Sequence, residues 1–340
     1  MKIPYGKNVY NDEEISAVVR QLKKTTQMSN CVKTFEKKIS KIFNKKYGLM
    51  VNSGTSAITL ALDILNLKKN SEIIVPSLNF GTAISCILRA NLKPIFVDID
   101  VQTLQINFDL IEEKITSKTC AIMIPNLIGN LPELDKLKKI CKKYNLYFIE
   151  DSADTLDSKY NGKSSGYYSD ISICSFYGSH VISCAGNGGI ICFNDKKFLD
   201  KATMLRSWGR SSSILKHSEN IKDRLDIKLK GFEYDKKFVF GDLGYNFEPS
   251  EIGAAFGLVQ LKKLKKFINI RRRNFKLHQN FFEKNKNFFI PIKVGKNIET
   301  NFLAYPILIK PNVKFSRGNL QIHLENDGIQ TRPIFSGNIL

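Results

Sequence analysis

Between residues 47 and 151 short apolar runs alternate with amphipathic stretches. That alternation restricts the fold more than any other feature of the chain. Residues 47–51, 72–75, 94–97, 120–124 and 146–149 read as strands, and 55–65, 81–89, 108–115 and 134–144 as the helices between them. Strands this short, without a regularly alternating polar face, are buried on both sides, so the pattern predicts a mostly parallel sheet covered by helices on both faces. Two helical segments come first. One spans 11–24 behind an Asn11 cap, and the other carries Phe35, Ile39, Ile42 and Phe43 at i, i+4, i+7 and i+8.

Past Asp151 the rhythm changes. Strands are expected over 171–176 and 189–193, bracketing His180, and a helix over 198–208. Residues 210–240 are polar and basic with weak periodicity and read as an irregular excursion. Helices follow over 250–268 and 271–282, then short strands from about 288 and a helix over 319–326. The division expected is a large α/β domain over 1–270, with an N-terminal helical segment, and a small C-terminal α+β domain over 271–340. The chain ends on Ile339-Leu340 in mid-pattern, so the small domain is expected to be incomplete.

Composition excludes several classes. With 43% hydrophobic and 25% charged residues among 340, the chain has the make-up of a globular protein. No apolar run is long enough for a bilayer, and Met1-Lys2-Ile3-Pro4-Tyr5 lacks a signal-peptide core, which places the protein in the cytoplasm. Seven scattered cysteines without a CxxC pair and four unpaired histidines indicate neither a disulfide framework nor a metal site. The net charge of +20 lies largely in lysines on helix faces, such as Lys136, Lys138, Lys139, Lys142 and Lys143. Without aromatic–basic interleaving or a DNA-binding motif this reads as a solvated surface rather than a nucleic-acid site, and it suits a substrate carrying a diphosphate.

Several residues stand where chemistry is expected. Gly54-Thr55-Ser56 joins a strand end to a helix start, where free N–H groups favour an anion; a plain N-cap is the bland alternative. Phe80 begins the next helix and could stack on a flat ring or fill core. Asp151 ends an apolar strand and so faces the ligand crevice of an open α/β sheet. Ser175 closes the strand before His180, and Asn246 follows Gly244-Tyr245 in a turn-like stretch. His180 is an imidazole able to act as a general base near neutral pH.

Taken together, Asn52-Ser53-Gly54-Thr55-Ser56, Glu150-Asp151 and Ser175-Phe176-Tyr177-Gly178-Ser179-His180, in that order, resemble the cofactor site of the DegT/DnrJ/EryC1/StrS family of pyridoxal-phosphate (PLP) sugar enzymes. The resemblance covers nearly the whole chain, to Thr331-Arg332-Pro333. It implies the type I fold of PLP-dependent transferases and a homodimer with shared active sites. It also implies that Gly54, Thr55, Ser56 and Ser175 hold the PLP phosphate, that Phe80 stacks on the ring and that Asp151 pairs with the pyridine nitrogen. Asn246 would reach the phosphate of the neighbouring subunit. Two positions depart from the aminotransferases of the family. Asp154 stands where they carry Gln or His beside the cofactor, and His180 replaces the lysine that binds PLP as a Schiff base.

The second departure is similar to the family's sugar 3-dehydratases, as are Leu127-Ile128-Gly129-Asn130 and Arg332-Pro333-Ile334-Phe335-Ser336-Gly337-Asn338. An imidazole has no primary amine, so PLP would be held without a covalent bond. The implied reaction converts PLP to pyridoxamine phosphate (PMP) with glutamate as amino donor. It then removes the C3 hydroxyl of a nucleotide-linked 4-keto-6-deoxy sugar, for deoxysugar and surface-polysaccharide synthesis. His180 and Asp151 would be catalytic, and Arg206, Arg210 and Arg332 would meet the diphosphate. No cysteine follows Cys192, so no iron–sulfur centre is expected. The alternatives are a sugar aminotransferase using another lysine, and an inactive PLP-fold protein with a binding or regulatory role.

Overall fold

The computed structural model describes residues 2–7, 9–215 and 220–335 of the chain. Seven strands form its main sheet: β1 (Tyr47–Val51), β2 (Glu72–Pro76), β3 (Lys93–Val97), β4 (Thr119–Pro125), β5 (Tyr147–Asp151), β6 (Ile171–Ser175) and β7 (Gly189–Phe193). Their order across the sheet is β1-β7-β6-β5-β4-β2-β3. All run parallel except β7, which is antiparallel to both β1 and β6. A parallel sheet needs helical crossovers. The principal ones are α3 (Gly54–Leu65), α4 (Gly81–Arg89) and α5 (Leu134–Tyr144).

Successive residues of a strand point to opposite faces, and the core divides accordingly. Ile73 and Val75 pack under α3 and α4, whereas Ile74 packs with Leu137 and Ile140 of α5. Leu49 and Val51 join the first layer, while Met50 turns to Phe35 and Ile39 of α2 (Asn30–Ile42). At the N-terminus, α1 (Asp12–Leu22) starts with a capping box between Asn11 and Glu14. The expected α/β architecture is therefore present, with both faces covered.

Two expectations change. Residues 108–115 form two 3₁₀ turns, Phe108–Leu110 and Glu112–Lys114, rather than one helix. Of residues 108–115 only Ile111 is fully buried, too little apolar face to hold a full helix against the sheet. Conversely, the two helices expected over 250–268 and 271–282 are one, Glu251–Lys284. No Gly or Pro separates them. What changes near residue 269 is burial, from an apolar half packed on α1 and α2 to a half in which only Phe282 is buried. The 270/271 division thus falls inside a continuous helix. We number α6 (Lys196–Arg206), this long helix α7 and the last helix, Arg317–Asn326, α8. The described residues of 210–240 hold short turns, a five-residue helix at Ile221–Leu225 and a hairpin of two-residue strands, as an irregular excursion should. Ser336-Gly337-Asn338 and the chain end lie outside the described residues, as does His217. Among the described residues no helix is long and apolar enough to cross a membrane.

Candidate active site

The sheet's C-terminal strand ends converge on a cavity of about 530 Å³. In an open α/β sheet this is where ligands bind. Gly189 of β7 pairs with Val51 on one side and Ser175 on the other. That register draws the β1–α3 turn against the end of β6. A Cβ added to Gly54 would lie 2.8 Å from Cβ of Ser175, so only glycine permits the approach.

Around this contact the polar groups point one way. The Ser53 side chain caps α3 by accepting from Ser56 N–H at 3.1 Å. The N–H groups of Gly54 and Thr55 find no acceptor among the described residues, as expected of a first helical turn. With Ser175 Oγ they form an anion-accepting corner, reinforced by the helix dipole. Ser56 does not line the cavity. Its hydroxyl donates to Asn52 Oδ1 at 2.6 Å and is 2.9 Å from Ser53 Oγ, so it braces the turn from behind.

Asp151 lines the cavity at the end of β5. Its carboxylate accepts the Ala153 N–H at 3.0 Å. Burial raises its pKa to about 6, with a smaller contribution from Glu150 and opposed by that N–H. A cationic ring N–H would supply the missing charge partner. Its backbone is pinned by Asn126, whose N–H donates to Asp151 O at 2.8 Å and whose side chain donates to Glu150 at 2.9 Å.

Asp154 lines the same cavity and is pushed up to about 7, by burial and then by Asp151 against the Ile128 N–H. That N–H reaches it at 2.8 Å from a residue with φ +57°. A β-branched residue in this region costs on the order of 1–2 kcal/mol. The Leu127–Gly129 turn is therefore bent so that its backbone meets this carboxylate.

His180 faces the cavity shared by Asp151 and Gly54. The Tyr177 carbonyl accepts its N–H at 3.0 Å, and the Tyr177 ring meets it edge-on at 6.1 Å. Burial lowers the imidazole pKa to about 4; a hydrogen bond with the Ser175 backbone opposes this and the Arg271 charge adds to it. Nδ1 is buried without a partner. With its pKa lowered in this way the ring is uncharged at neutral pH and can act as a base.

Phe80 caps α4 and leaves its ring 58% exposed on the cavity, edge-on to Phe335 at 5.9 Å. Arg332 enters from the C-terminal segment and lies over the Tyr5 ring at 5.4 Å. Sequence reasoning missed Tyr5, which the N-terminal arm brings in, and Asn79. The latter is 1% exposed, with an orphaned Nδ2 in the cavity wall. A polar residue before a helix cap was the only available signal for Asn79.

Two further expectations need correction. Arg206 does not face the cavity. Nη1 donates to Glu36 at 2.9 Å and to the Met50 carbonyl at 2.9 Å, neutralising a partly buried carboxylate beneath β1. Arg210 stacks over Trp208 at 4.6 Å and also lies outside the cavity. Asn246, expected at the phosphate of a neighbouring subunit and not at its own, is exposed; its backbone bridges Ser207 and its carbonyl accepts from Asn52 at 3.3 Å.

The remaining residues fit pyridoxal phosphate. The glycine–serine corner is a phosphate cradle that a Cβ would fill, the Asp151 carboxyl lacks a cationic partner, and Phe80 offers a ring face. Among the described lining residues there is no lysine.

Comparison with known proteins follows the same line. The DegT/DnrJ/EryC1/StrS aminotransferase family model matches residues 9–339. The chain is 30% identical to a GDP-4-keto-6-deoxy-D-mannose 3-dehydratase of Yersinia pseudotuberculosis, over 100% of this chain and 86% of that one. It is 32% identical to a GDP-perosamine synthase of Escherichia coli O157:H7, over 90% and 76%. A solved Escherichia coli GDP-4-keto-6-deoxy-D-mannose-3-dehydratase with bound hydrated PLP superposes with a TM-score of 0.89 at 30% identity, covering 99% of this chain and 86% of that one.

Proposed function

The chain belongs to the DegT/DnrJ/EryC1/StrS aminotransferase family, and within it we propose a PLP/PMP-dependent 3-dehydratase acting on a nucleotide-linked 4-keto-6-deoxy sugar. One observation carries this reading: the cavity that gathers Gly54, Asp151 and Ser175 contains an imidazole, His180, and no lysine among its described lining residues. An aminotransferase tethers its cofactor through a primary amine. The solved relative with hydrated PLP, an aldehyde not held by an amine, supports a non-covalent site.

The Gly54 and Thr55 N–H groups and Ser175 hold the phosphate, Phe80 covers one ring face, and Asp151 keeps the ring nitrogen protonated. Bound there, with glutamate as amino donor, the cofactor supplies an electron sink for loss of the sugar's C3 hydroxyl. His180 does the proton work: its uncharged imidazole, on the cavity wall, accepts a proton beside the cofactor ring and returns it to the departing hydroxyl, which leaves as water. Asp154 stands where it can hold a proton at the cofactor's edge, with the Ile128 N–H fixing its orientation.

A second copy of the chain completes the site in this reading. Asn246 and Arg210 lie outside their own protomer's cavity, on a stretch that leaves Phe238, Phe240 and Leu243 exposed. Such a patch suits a subunit interface.

The test is direct. PLP is added, then borohydride, and the intact protein is weighed. No PLP adduct, together with glutamate-dependent loss of the PLP absorbance and ammonia release from a GDP-4-keto-6-deoxy sugar, is the expected result. A stable PLP–lysine adduct would make the chain an aminotransferase, the activity class to which the perosamine synthase relative points.

A further inference from the structure

Glu150 precedes Asp151 on β5, so its side chain points to the opposite face of the sheet, behind the cavity wall. It is 1% exposed. Four donors surround it. Asn126 Nδ2 at 2.9 Å and Ser152 Oγ at 2.8 Å meet Oε1; Ser172 Oγ at 2.8 Å and Ser169 Oγ at 3.2 Å meet Oε2. Two donors on each oxygen are what an ionised carboxylate, an acceptor only, requires. The Lys45 ammonium is buried on the same side but donates to the Ser169 carbonyl rather than to the carboxylate. A buried charge whose cation stands off at a neighbouring carbonyl is a poor source of stability. An apolar side chain would serve the fold as well in this layer, beside Phe148 and Ile124.

The network does have a link to the site. Asn126, whose side chain donates to Glu150, donates its backbone N–H to the Asp151 carbonyl at 2.8 Å. Ser152, the next residue after Asp151, binds the same Glu150 oxygen. Asp151 is thus held from both sides along the chain and from the neighbouring strand end. An anion fixed one residue behind it also raises the work of removing a proton on the cavity side. We propose that Glu150 is a positioning residue for the cofactor: through Asn126 and Ser152 it fixes the Asp151 carboxylate, and its charge keeps the proton shared by that carboxylate and the ring nitrogen in place at alkaline pH. The assignment rests on the pairing of Asp151 with the ring nitrogen, not on the dehydratase reading. Other groups face the pair. Asp154 and His180 share the cavity, Lys45 opposes the field of Glu150, and Asp170 lies beside Lys45. The thiols of Cys86, Cys174 and Cys192 are pushed up by burial. All of these stay in place when Glu150 alone is changed.

PLP labelled with nitrogen-15 in its ring, bound to the full chain and followed by NMR across pH, tests this without turnover. In the wild-type protein the ring nitrogen should stay protonated through neutral pH and lose its proton in one alkaline step. Glu150→Gln keeps the shape and removes the charge, and should lower that step by about 1 pH unit or more. The fold can accept this amide: the Ser169 and Ser172 hydroxyls can turn to receive it, and Ser169 has the Gly166 carbonyl at 3.4 Å as another acceptor. Glu150→Asp keeps the charge and loses reach. It should lower the thermal midpoint yet leave the ring step within roughly half a pH unit of wild type. A Gln variant that titrates with wild type overturns the proposal, since a structural role alone would move stability and not the ring proton. So does an Asp variant whose step falls by about 1 pH unit or more, a result that decides the matter even if the Gln variant does not fold. Failure of the Asp151 pairing appears separately, as a ring nitrogen without its proton at every pH in the wild-type protein.

Discussion

One wall of the catalytic cavity is made by strand ends of the seven-stranded sheet, the other by the two ends of the chain. On the first, Gly54, Asp151 and Ser175 are set by β-ladder register and by neighbours with no measurable exposure, such as Val51 and Ile149. On the second, Tyr5 and Arg332 are held by a two-residue bridge, Ile3 with Ile329, and by the Tyr5 N–H donating to Gln330 Oε1 at 3.0 Å. Helix α8, which precedes Arg332, buries none of its residues. The difference teaches where each task is secured. Proton and cofactor chemistry tolerates little displacement and is built into the sheet. In the proposed function, recognition of the sugar nucleotide falls to segments that pack lightly.

The sharpest way to break this comparison is at His180. Replacement by Asn should lower ammonia release at least a thousandfold while PLP affinity, followed by absorbance, changes little. Retained turnover would remove the imidazole from the chemistry.

Arginine substitutions on the two sides should differ next most. Arg206→Met leaves the partly buried Glu36 carboxylate, pushed up by desolvation, without its cation, and should cost about 3 kcal/mol in urea unfolding. Arg332→Gln, half exposed, should leave the unfolding midpoint in place and raise KM for the sugar nucleotide. Equal stability losses would erase the distinction between the walls.

Asp151 gives a pH signature. Its folded-state pKa of about 6 lies above the ordinary 3.8. Its protonated form therefore contributes stability below pH ~4 that is lost as pH rises through about 6. Apo Asp151→Asn should be more stable than apo wild type at pH 8, by on the order of 2 kcal/mol. PLP should reverse that order by supplying the ring cation, and thermal melts with and without cofactor read both signs.

The smallest effect is expected at Gly54. Its replacement by Ala drives a Cβ towards Ser175, and an overpacking cost of about 1 kcal/mol should weaken PLP binding by about fivefold with glutamate turnover at saturation nearly intact.

Much of the first wall was legible in the residues. Asp151 ends an apolar run, and Gly54 stands between a strand and a helix, so local pattern alone puts both at the crevice. The second wall was not legible. Tyr5 meets Arg332 across more than three hundred residues of chain, and no periodicity encodes such a meeting. The arginines misled for a related reason. Arg206 and Arg210 flank Trp208 in sequence, which suggested one cluster, yet one guanidinium dives to Glu36 and the other stacks on the indole. The fused helix α7 shows the same limit, since a change from buried to exposed reads in sequence much like an end.

By itself, then, the sequence determined the alternating α/β layering, the strand-end carboxylate and glycine turn, and an imidazole at position 180. These are properties of short windows, carried by side-chain period and residue chemistry. The tertiary structure alone decided which arginines reach the cavity, which polar atoms are stranded in its wall, and that four donors converge on Glu150 behind it. Each depends on groups far apart in the chain competing for the same partners, and that competition is resolved only when the chain is packed.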